Sequence, residues 1–466
     1  MQTRTLSGIA LVLTVLSLSG TAQAAITFHR EWQWYKADSG RSVAQLTGGG
    51  YVISGGVQES TSVFGTVLAR TDSLGETTSV RTILHVDMNG GFSCLLPDGG
   101  CAVLAESGTK ILVRKYNAAG DSAWEYRSTW GSLISTLIPT FDGGCLVAGE
   151  ITDSDMGAVK LAADGHEQWA HYFHQWPYQS NAHGAVQTRD SGYILCGEAD
   201  SYSGQNVRLV RLTPGGDTIW TRMYRGLTGP MLNDVREMAD SGFLAVGYVY
   251  GDSGRNVFYM MRTTSTGDTV WTRHFAPAGA AAQAAAMCVT SDGGFAVVGV
   301  ADWGDSARAW LVKTNAQGDT AWTAVLPGSG REAGNDVEQT ADGGYVIGGS
   351  SNAAGGGMLL IKTDSLGYVA YGVAEDKPIA SSRIVMSVAP NPAHSIVRIV
   401  CSLPGVERNA PGIRLAMYDA LGRQVLTLPP SRHSSFVIRT SSFASGIYLL
   451  RLVSDRVSTT SKVVIE

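Results

Sequence analysis

Three observations predict an all-β chain: a seven-bladed β-propeller of four-stranded blades, followed by a small C-terminal β-sandwich. First, one turn phrase recurs. It reads Asp98-Gly99-Gly100-Cys101, Asp142-Gly143-Gly144-Cys145, Asp190-Ser191-Gly192-Tyr193, Asp240-Ser241-Gly242-Phe243, Asp292-Gly293-Gly294-Phe295 and Asp342-Gly343-Gly344-Tyr345. A worn first copy, Gly48-Gly49-Gly50-Tyr51, makes seven. Their spacing of about 50 residues is that of a repeat architecture. Second, each repeat contains four short runs rich in Val, Ile, Thr and aromatics, punctuated by Gly and Asp, which reads as strands and tight turns. No helical period competes with them. Third, the repeat stops before residue 374, and a different alternating pattern follows.

The elements follow in chain order. Arg4, the apolar run Leu6 to Leu18 and the small-x-small site Ala22-Gln23-Ala24 predict a cleaved export leader over 1–24. The run is too short for a resident membrane span, and no later stretch reaches its length. The mature chain is therefore expected to be soluble and exported, without a transmembrane span. Residues 25–373 carry the repeats. The first strand of each repeat ends at the Asp-Gly-Gly turn, where glycine supplies the positive φ of a tight hairpin. A second, more apolar strand, a variable loop and a third strand follow. A second recurrent turn, such as Gln317-Gly318-Asp319-Thr320-Ala321-Trp322, leads to the fourth strand. Its Asp and Thr are expected to bond nearby amides, and its Trp to fill space between blades. This phrase resembles the Asp-box of some propellers, which is structural in enzymes and non-enzymes alike.

The last repeat has a weak fourth strand, Tyr368 to Val373. The chain opens with an orphan fourth-strand phrase, Phe28 to Tyr35. The N-terminal strand is thus expected to complete the last blade and close the ring, which removes exposed sheet edges. An open solenoid of the same units is the alternative. The six cysteines form no framework; a Cys94–Cys101 bridge across the second-repeat turn is conceivable, but the slot shared by Cys101 and Cys145 favours burial as small hydrophobes.

Residues 374–386 read as a linker. The module at 387–466 carries the entry Pro390-Asn391-Pro392, the turn Tyr418-Asp419 to Leu421-Gly422-Arg423, the strand Gly446-Ile447-Tyr448 and the end Lys462-Val463-Val464. These ordered motifs resemble the C-terminal (type A) sorting domain of type IX secretion cargo, and the seven repeats resemble the DGGY-type propeller repeats found ahead of such domains. Pro390, Asn391, Pro392, Gly422, Arg423, Gly446, Tyr448 and Lys462 are the matching residues. The stretch 400–412 is longer than the family pattern. The resemblance implies passage across an outer membrane, with the type IX machinery as partner, and a secreted or surface-attached fate.

The formal charge of −5 gives no reason to expect nucleic acid. There is no phosphate loop, nucleophile elbow or HExxH. His166, His171, His174 and His183 lack metal-ligand spacing, since His171 and His174 fall on opposite faces of a strand. Asp153-Ser154-Asp155 and the loop Asp302 to Asp305 offer oxygens, but no EF-hand, to Ca²⁺. No cofactor or metal is assigned. Serines in loops such as Gly251-Asp252-Ser253-Gly254 read as turns. An enzyme acting on glycans would need convergence of residues such as Tyr224, Arg225, Arg255, Arg331 and Glu332 at the axis. The expected ligand surface is instead the face carrying the variable loops, with Trp130, Trp176, Tyr178, Tyr202, Tyr250, Trp303 and Arg331 as candidates to stack on sugars or peptide side chains. Recognition or adhesion is the favoured role; a glycan hydrolase or lyase and a structural surface component are the alternatives.

Overall fold

The structure is a computed structural model. It describes residues 26–34, 37–58, 63–86, 89–96, 98–107, 110–128, 134–152, 155–174, 179–202, 204–328, 330–352, 356–369, 385–389, 396–402, 413–419, 423–431, 435–453 and 458–465. The chain divides into two compact units, Met1–Gly372 and Val373–Glu466.

The first unit contains seven four-stranded antiparallel sheets. Their inner strands are Ala37–Gln45, Asn89–Leu95, Ile134–Pro139, Ser180–Gln187, Met231–Glu237, Ala281–Val289 and Glu332–Gln339. Each inner strand packs against those of both neighbouring blades, the last against the first, so the ring is closed. The unit is the seven-bladed propeller that the repeats predict, and the open solenoid is set aside. The second and third strands of each blade lie between two other blades, so both their faces are covered. Asp155–Leu161, Asn206–Leu212 and Gly357–Thr363 are buried at every position. The apolar core is accordingly a series of layers between blades. Phe258, Met260, Met287, Val297 and Trp310, for example, fill one layer between blades 5 and 6. Fourth strands form the rim and alternate exposed with half-buried residues, as in Ser122–Arg127.

Blade 7 is completed by the N-terminus. Phe28–Trp32 pairs antiparallel with Gly357–Thr363, from Phe28 opposite Lys362 to Trp32 opposite Met358. Phe28 is buried and meets the Tyr51 ring edge-on at 5.5 Å, tying the seam to blade 1. After Gly357–Thr363 the chain turns at Asp364–Gly367 and leaves Tyr368 exposed, so the C-terminal end of the repeat does not supply this strand. Cys94, Cys101, Cys145 and Cys196 are buried free thiols, and Cys288 is half-buried; the Cys94–Cys101 bridge is not formed. Burial pushes the Cys101 thiol up to about 11 and the Cys145 thiol to about 12, as expected of inert core residues.

The second unit has two antiparallel sheets. One joins Val385–Ala389, Ile396–Ser402 and Ser435–Arg439. The other orders Gln424–Ser431, Ile413–Tyr418, Gly446–Val453 and Ser458–Ile465. The first of these strands begins two residues inside the stretch read as linker, because Val385 and Met386 already pair with Ser402 and Cys401. Among the described residues no helix is long and apolar enough to cross a membrane.

Candidate functional site

Strand direction gives the ring two faces. The Asp-Gly-Gly turns lie on one, here the turn face. The connections between blades and the loops between second and third strands lie on the other, the loop face.

The turn face is built for rigidity. In each turn the Asp side chain accepts from the second glycine's amide, as Asp142 Oδ1 does from Gly144 at 3.1 Å. The same carboxylate pairs with a basic residue from the third strand of its own blade. Lys115–Asp98, Lys160–Asp142, Lys313–Asp292 and Lys362–Asp342 close at 2.8, 2.8, 2.8 and 2.9 Å, and Arg211–Asp190 and Arg262–Asp240 do the same in blades 4 and 5. Lys160 and Lys362 are almost fully buried, and each also donates to the next residue's carbonyl at 2.7 Å. Hydrogen bonds from Lys313 and then Thr290 hold Asp292 down at about 2. Sequence reasoning missed these cations, although a Lys or Arg recurs at the same place in every third strand. In the worn first repeat no Asp is present, and Arg70 reaches across to the Gly99 carbonyl of blade 2 at 2.7 Å instead.

The second recurrent turn also proves structural, with one correction. Its amides are held by the first residue of the turn and not by the later Asp-Thr pair. Asn315 Oδ1 accepts from Gln317 at 2.9 Å and Asp319 at 2.8 Å, and Asp364 Oδ1 from Leu366 and Tyr368 at 2.9 and 2.8 Å. The residue after the glycine faces outward, and in Asp319 it is free to accept Arg273 of the preceding blade. The Trp of each phrase lies over the glycine of the next blade's turn. Trp124, Trp169 and Trp220 also donate Nε1–H to Ala163, Pro214 and Ser265 carbonyls at 2.8, 3.0 and 3.1 Å.

On the loop face, Tyr202, Tyr250 and Trp303 stand at the tips of blades 4, 5 and 6, and are 96%, 52% and 37% exposed. Trp303 is pinned by its Nε1–H on the Ala278 carbonyl at 3.0 Å. Arg331 is committed to the blade 6 loop: it donates to Asp302 Oδ2 at 2.5 Å and to the Gly304 carbonyl at 2.6 Å. Its ion pair therefore also occupies a carboxylate considered for Ca²⁺. Trp130, Trp176 and Tyr178 lie outside the described residues, as do Asp153 and Ser154. The residues an axial enzyme would need do not converge: Tyr224 Oη donates to Gly267 of blade 5 at 2.6 Å on the rim, Arg255 to the Gly279 carbonyl, and buried Glu332 faces His29 at 3.2 Å. The four histidines are likewise dispersed, His166 beside Asp164, His174 beside Asp155 and His183 beside Glu198. Among the described residues no group of three or more His, Cys, Asp or Glu is placed to hold a metal ion.

The axis itself was not foreseen. Every inner strand carries a β-bulge at the same level; the extra residues are Arg41, Gly91, Ser135, His183, Asn233, Ala285 and Asn335. A bulge bends its strand and re-aims side chains, and here six of the seven extra residues, all but Gly91, line a cavity of about 700 Å³. Its wall includes Arg41, Arg236, Asp234 and Asp336. The two carboxylates clamp neighbouring blades. Asp234 accepts from the Val235 amide at 2.8 Å and from Met287 of blade 6 at 3.0 Å. Asp336 accepts from Val337 and from Val43 of blade 1, both at 2.9 Å. Arg236 pairs with Asp234 at 2.9 Å. Burial raises Asp336 to about 6 despite its amide partners. The signal available in sequence was the twin phrase Asn233-Asp234-Val235 and Asn335-Asp336-Val337.

In the C-terminal unit, Arg423 closes the turn onto Asp419, its amide and Nε meeting the carboxylate at 2.9 and 2.8 Å. Tyr448 is buried in the strand opened by Gly446 and donates to the Ala444 carbonyl at 2.8 Å, while Lys462 is exposed. Pro390, Asn391, Pro392 and Gly422 lie outside the described residues.

Comparison with known proteins finds solved structures of low similarity. Virginiamycin B lyase from Staphylococcus aureus is 12% identical, with a TM-score of 0.46 over 72% of this chain and 98% of that one. Sqt1 from Chaetomium thermophilum, bound to the N-terminus of ribosomal protein L10, is 9% identical, with a TM-score of 0.47 over 72% and 87%. A Bacteroides caccae protein of unknown function is 15% identical, with a TM-score of 0.40 over 56% and 89%. These likenesses carry no activity over to this chain. No curated protein matches it in sequence. One family model does match, that of the secretion system C-terminal sorting domain, over residues 387–466. On this match the C-terminal unit is that sorting domain, and the protein is a type IX secretion cargo carrying a β-propeller to the cell surface or beyond.

Proposed function

We propose that the propeller is a non-catalytic recognition or adhesion platform, binding a glycan or protein ligand on its loop face once exported. The observation that carries this reading is the row of exposed aromatic tips, Tyr202, Tyr250 and Trp303, on three successive blades. Such rings present an apolar face at little entropic cost, which suits stacking on sugars and side chains. The state of the axial carboxylates supports the non-catalytic part. General acid–base work needs a carboxyl group within reach of substrate, whereas Asp234 and Asp336 hold backbone amides on both oxygens.

The test is a glycan and peptide array probed with the chain from residue 25 onward, each hit then assayed for turnover. A hit bound without turnover, and lost in Tyr202→Ala or Trp303→Ala, is the expected result. Turnover on a hit would establish a glycan-acting enzyme instead, and an empty array would favour a structural surface component.

A further inference from the structure

The axial cavity is separate from the loop-face aromatics and asks for a ligand of different chemistry. Its lining changes character around the ring. On the side of blades 3 and 4 Ile138, Pro139, Phe141 and Val186 form an apolar strip beside Ser135, Thr136, His183 and Gln187, and it reaches the turn face, where Phe141 is 68% exposed. On the side of blades 5, 7 and 1 it is polar, with Arg236 and Arg41 among its walls. The two carboxylates there are already engaged. Both oxygens of Asp234 and of Asp336 already accept backbone N–H groups, so the wall carboxylates have their strongest donors in place. A guanidinium has five N–H donors in a planar fork. Arg236 spends its Nη1 on Asp234 and, at 3.4 Å, on the Val235 carbonyl. These contacts use only the Nη1 of Arg236, and a second guanidinium, Arg41, lines the same cavity.

We propose that this cavity binds an organic carboxylate with an apolar body, the carboxylate on Arg236 and Arg41 and the body against Ile138, Pro139, Phe141 and Val186. Arginine suits this task because its fork matches a carboxylate in two parallel bonds. The volume of about 700 Å³ lies within the range of small-ligand sites, which combine apolar walls with a few placed polar groups. Phe141, exposed on the turn face, marks one mouth of the cavity.

Octanoate is the probe, with octanol (the same body without charge) and acetate (the charge without the body) as controls. Each is titrated into the chain from residue 25 onward and followed by calorimetry and by the shift in Tm. Octanoate is expected to saturate one site and raise Tm, with octanol and acetate at least tenfold weaker. Arg236→Gln and Arg41→Gln should each weaken octanoate about tenfold and leave octanol unchanged, a tenfold step being what one lost charge-assisted bond produces. Arg41→Gln keeps the test open should loss of the Asp234 partner unfold the first variant. Phe141→Ser, at the mouth, should weaken octanoate and octanol alike. No saturable octanoate binding, octanol binding as tightly as octanoate, or affinity unchanged in the folded arginine variants would each overturn the proposal.

Discussion

At the scale of single residues, the turn phrase sorts its two small positions by different physics. The first carries the positive φ: 78° at Gly143, but also 66° at Ser191 and 63° at Ser241. A serine is tolerated there at a modest strain. The second position has no such latitude, because a methyl group at Gly144 would stand 2.1 Å from the Leu161 carbonyl oxygen. Gly144→Ala should therefore cost about 3 kcal/mol, at the upper end for overpacking, read from denaturant midpoints. Ser191→Gly should stabilise by less than about 1 kcal/mol, relief of strain being largely offset by glycine's entropy. The turn ion pairs give a second prediction. Asp342→Ala leaves Lys362 buried beside a single carbonyl, a loss of about 3 kcal/mol for an orphaned charge. The double variant Asp342→Asn with Lys362→Met removes the charge as well, and should recover most of that loss.

The same groups set the pH dependence. Asp292 and Asp190 are held down at about 2, so their contribution is complete above the ordinary Asp value of 3.8 and is lost as pH falls through about 2. Asp336 is shifted the other way, to about 6: its contribution is complete below 3.8 and is lost as pH rises through about 6. Thermal unfolding should therefore show greatest stability near about pH 4, declining toward about pH 6. A Tm still rising from about pH 4 to 6 would contradict the assignment for Asp336.

At the scale of elements, the strand Phe28–Trp32 is short, yet it covers the outer edge of the fully buried Gly357–Thr363. Removing residues 26–34 exposes that edge and leaves the Tyr51 and Met358 layer open on one side. The expected outcome is a single, cooperative drop in Tm for the whole propeller, measured by calorimetry. A separate low-temperature transition confined to blade 7 would show the blades to be independent. Strands and turns were legible because their signals are local: period-two alternation, and glycine where φ is positive. The orphan phrase at the N-terminus was legible because one fourth strand was missing at the other end. The bulges were not, since Arg41, His183 and Asn233 belong to different residue types and share only a register position. The third-strand cations were visible as a recurrence, but an alternating strand with one Lys looks solvated until its turn partner is placed beside it. Convergence at the axis depends on seven distant segments at once, and no single window of sequence contains it.

At the scale of the whole molecule, a sorting domain at residues 387–466 follows the closed ring. Deleting residues 387–466 should leave the propeller folded, as read by circular dichroism and Tm, while fractionation finds it no longer outside the outer membrane.

The seam in blade 7 also dictates when folding can finish. Its register joins residue 28 to residue 362, so the first strand made must wait for almost the last. Contacts of such separation slow folding because chain entropy is lost before they form. Until then the strand Gly-Met-Leu-Leu-Ile-Lys-Thr at 357–363 presents an apolar, unpaired edge, which is a template for misassociation. An exported chain therefore carries its greatest aggregation hazard in the interval between release of its last repeat and capture of its N-terminus. A synthetic peptide of residues 26–34, added during refolding of the truncated chain, should shorten that interval and suppress light scattering in proportion to its concentration.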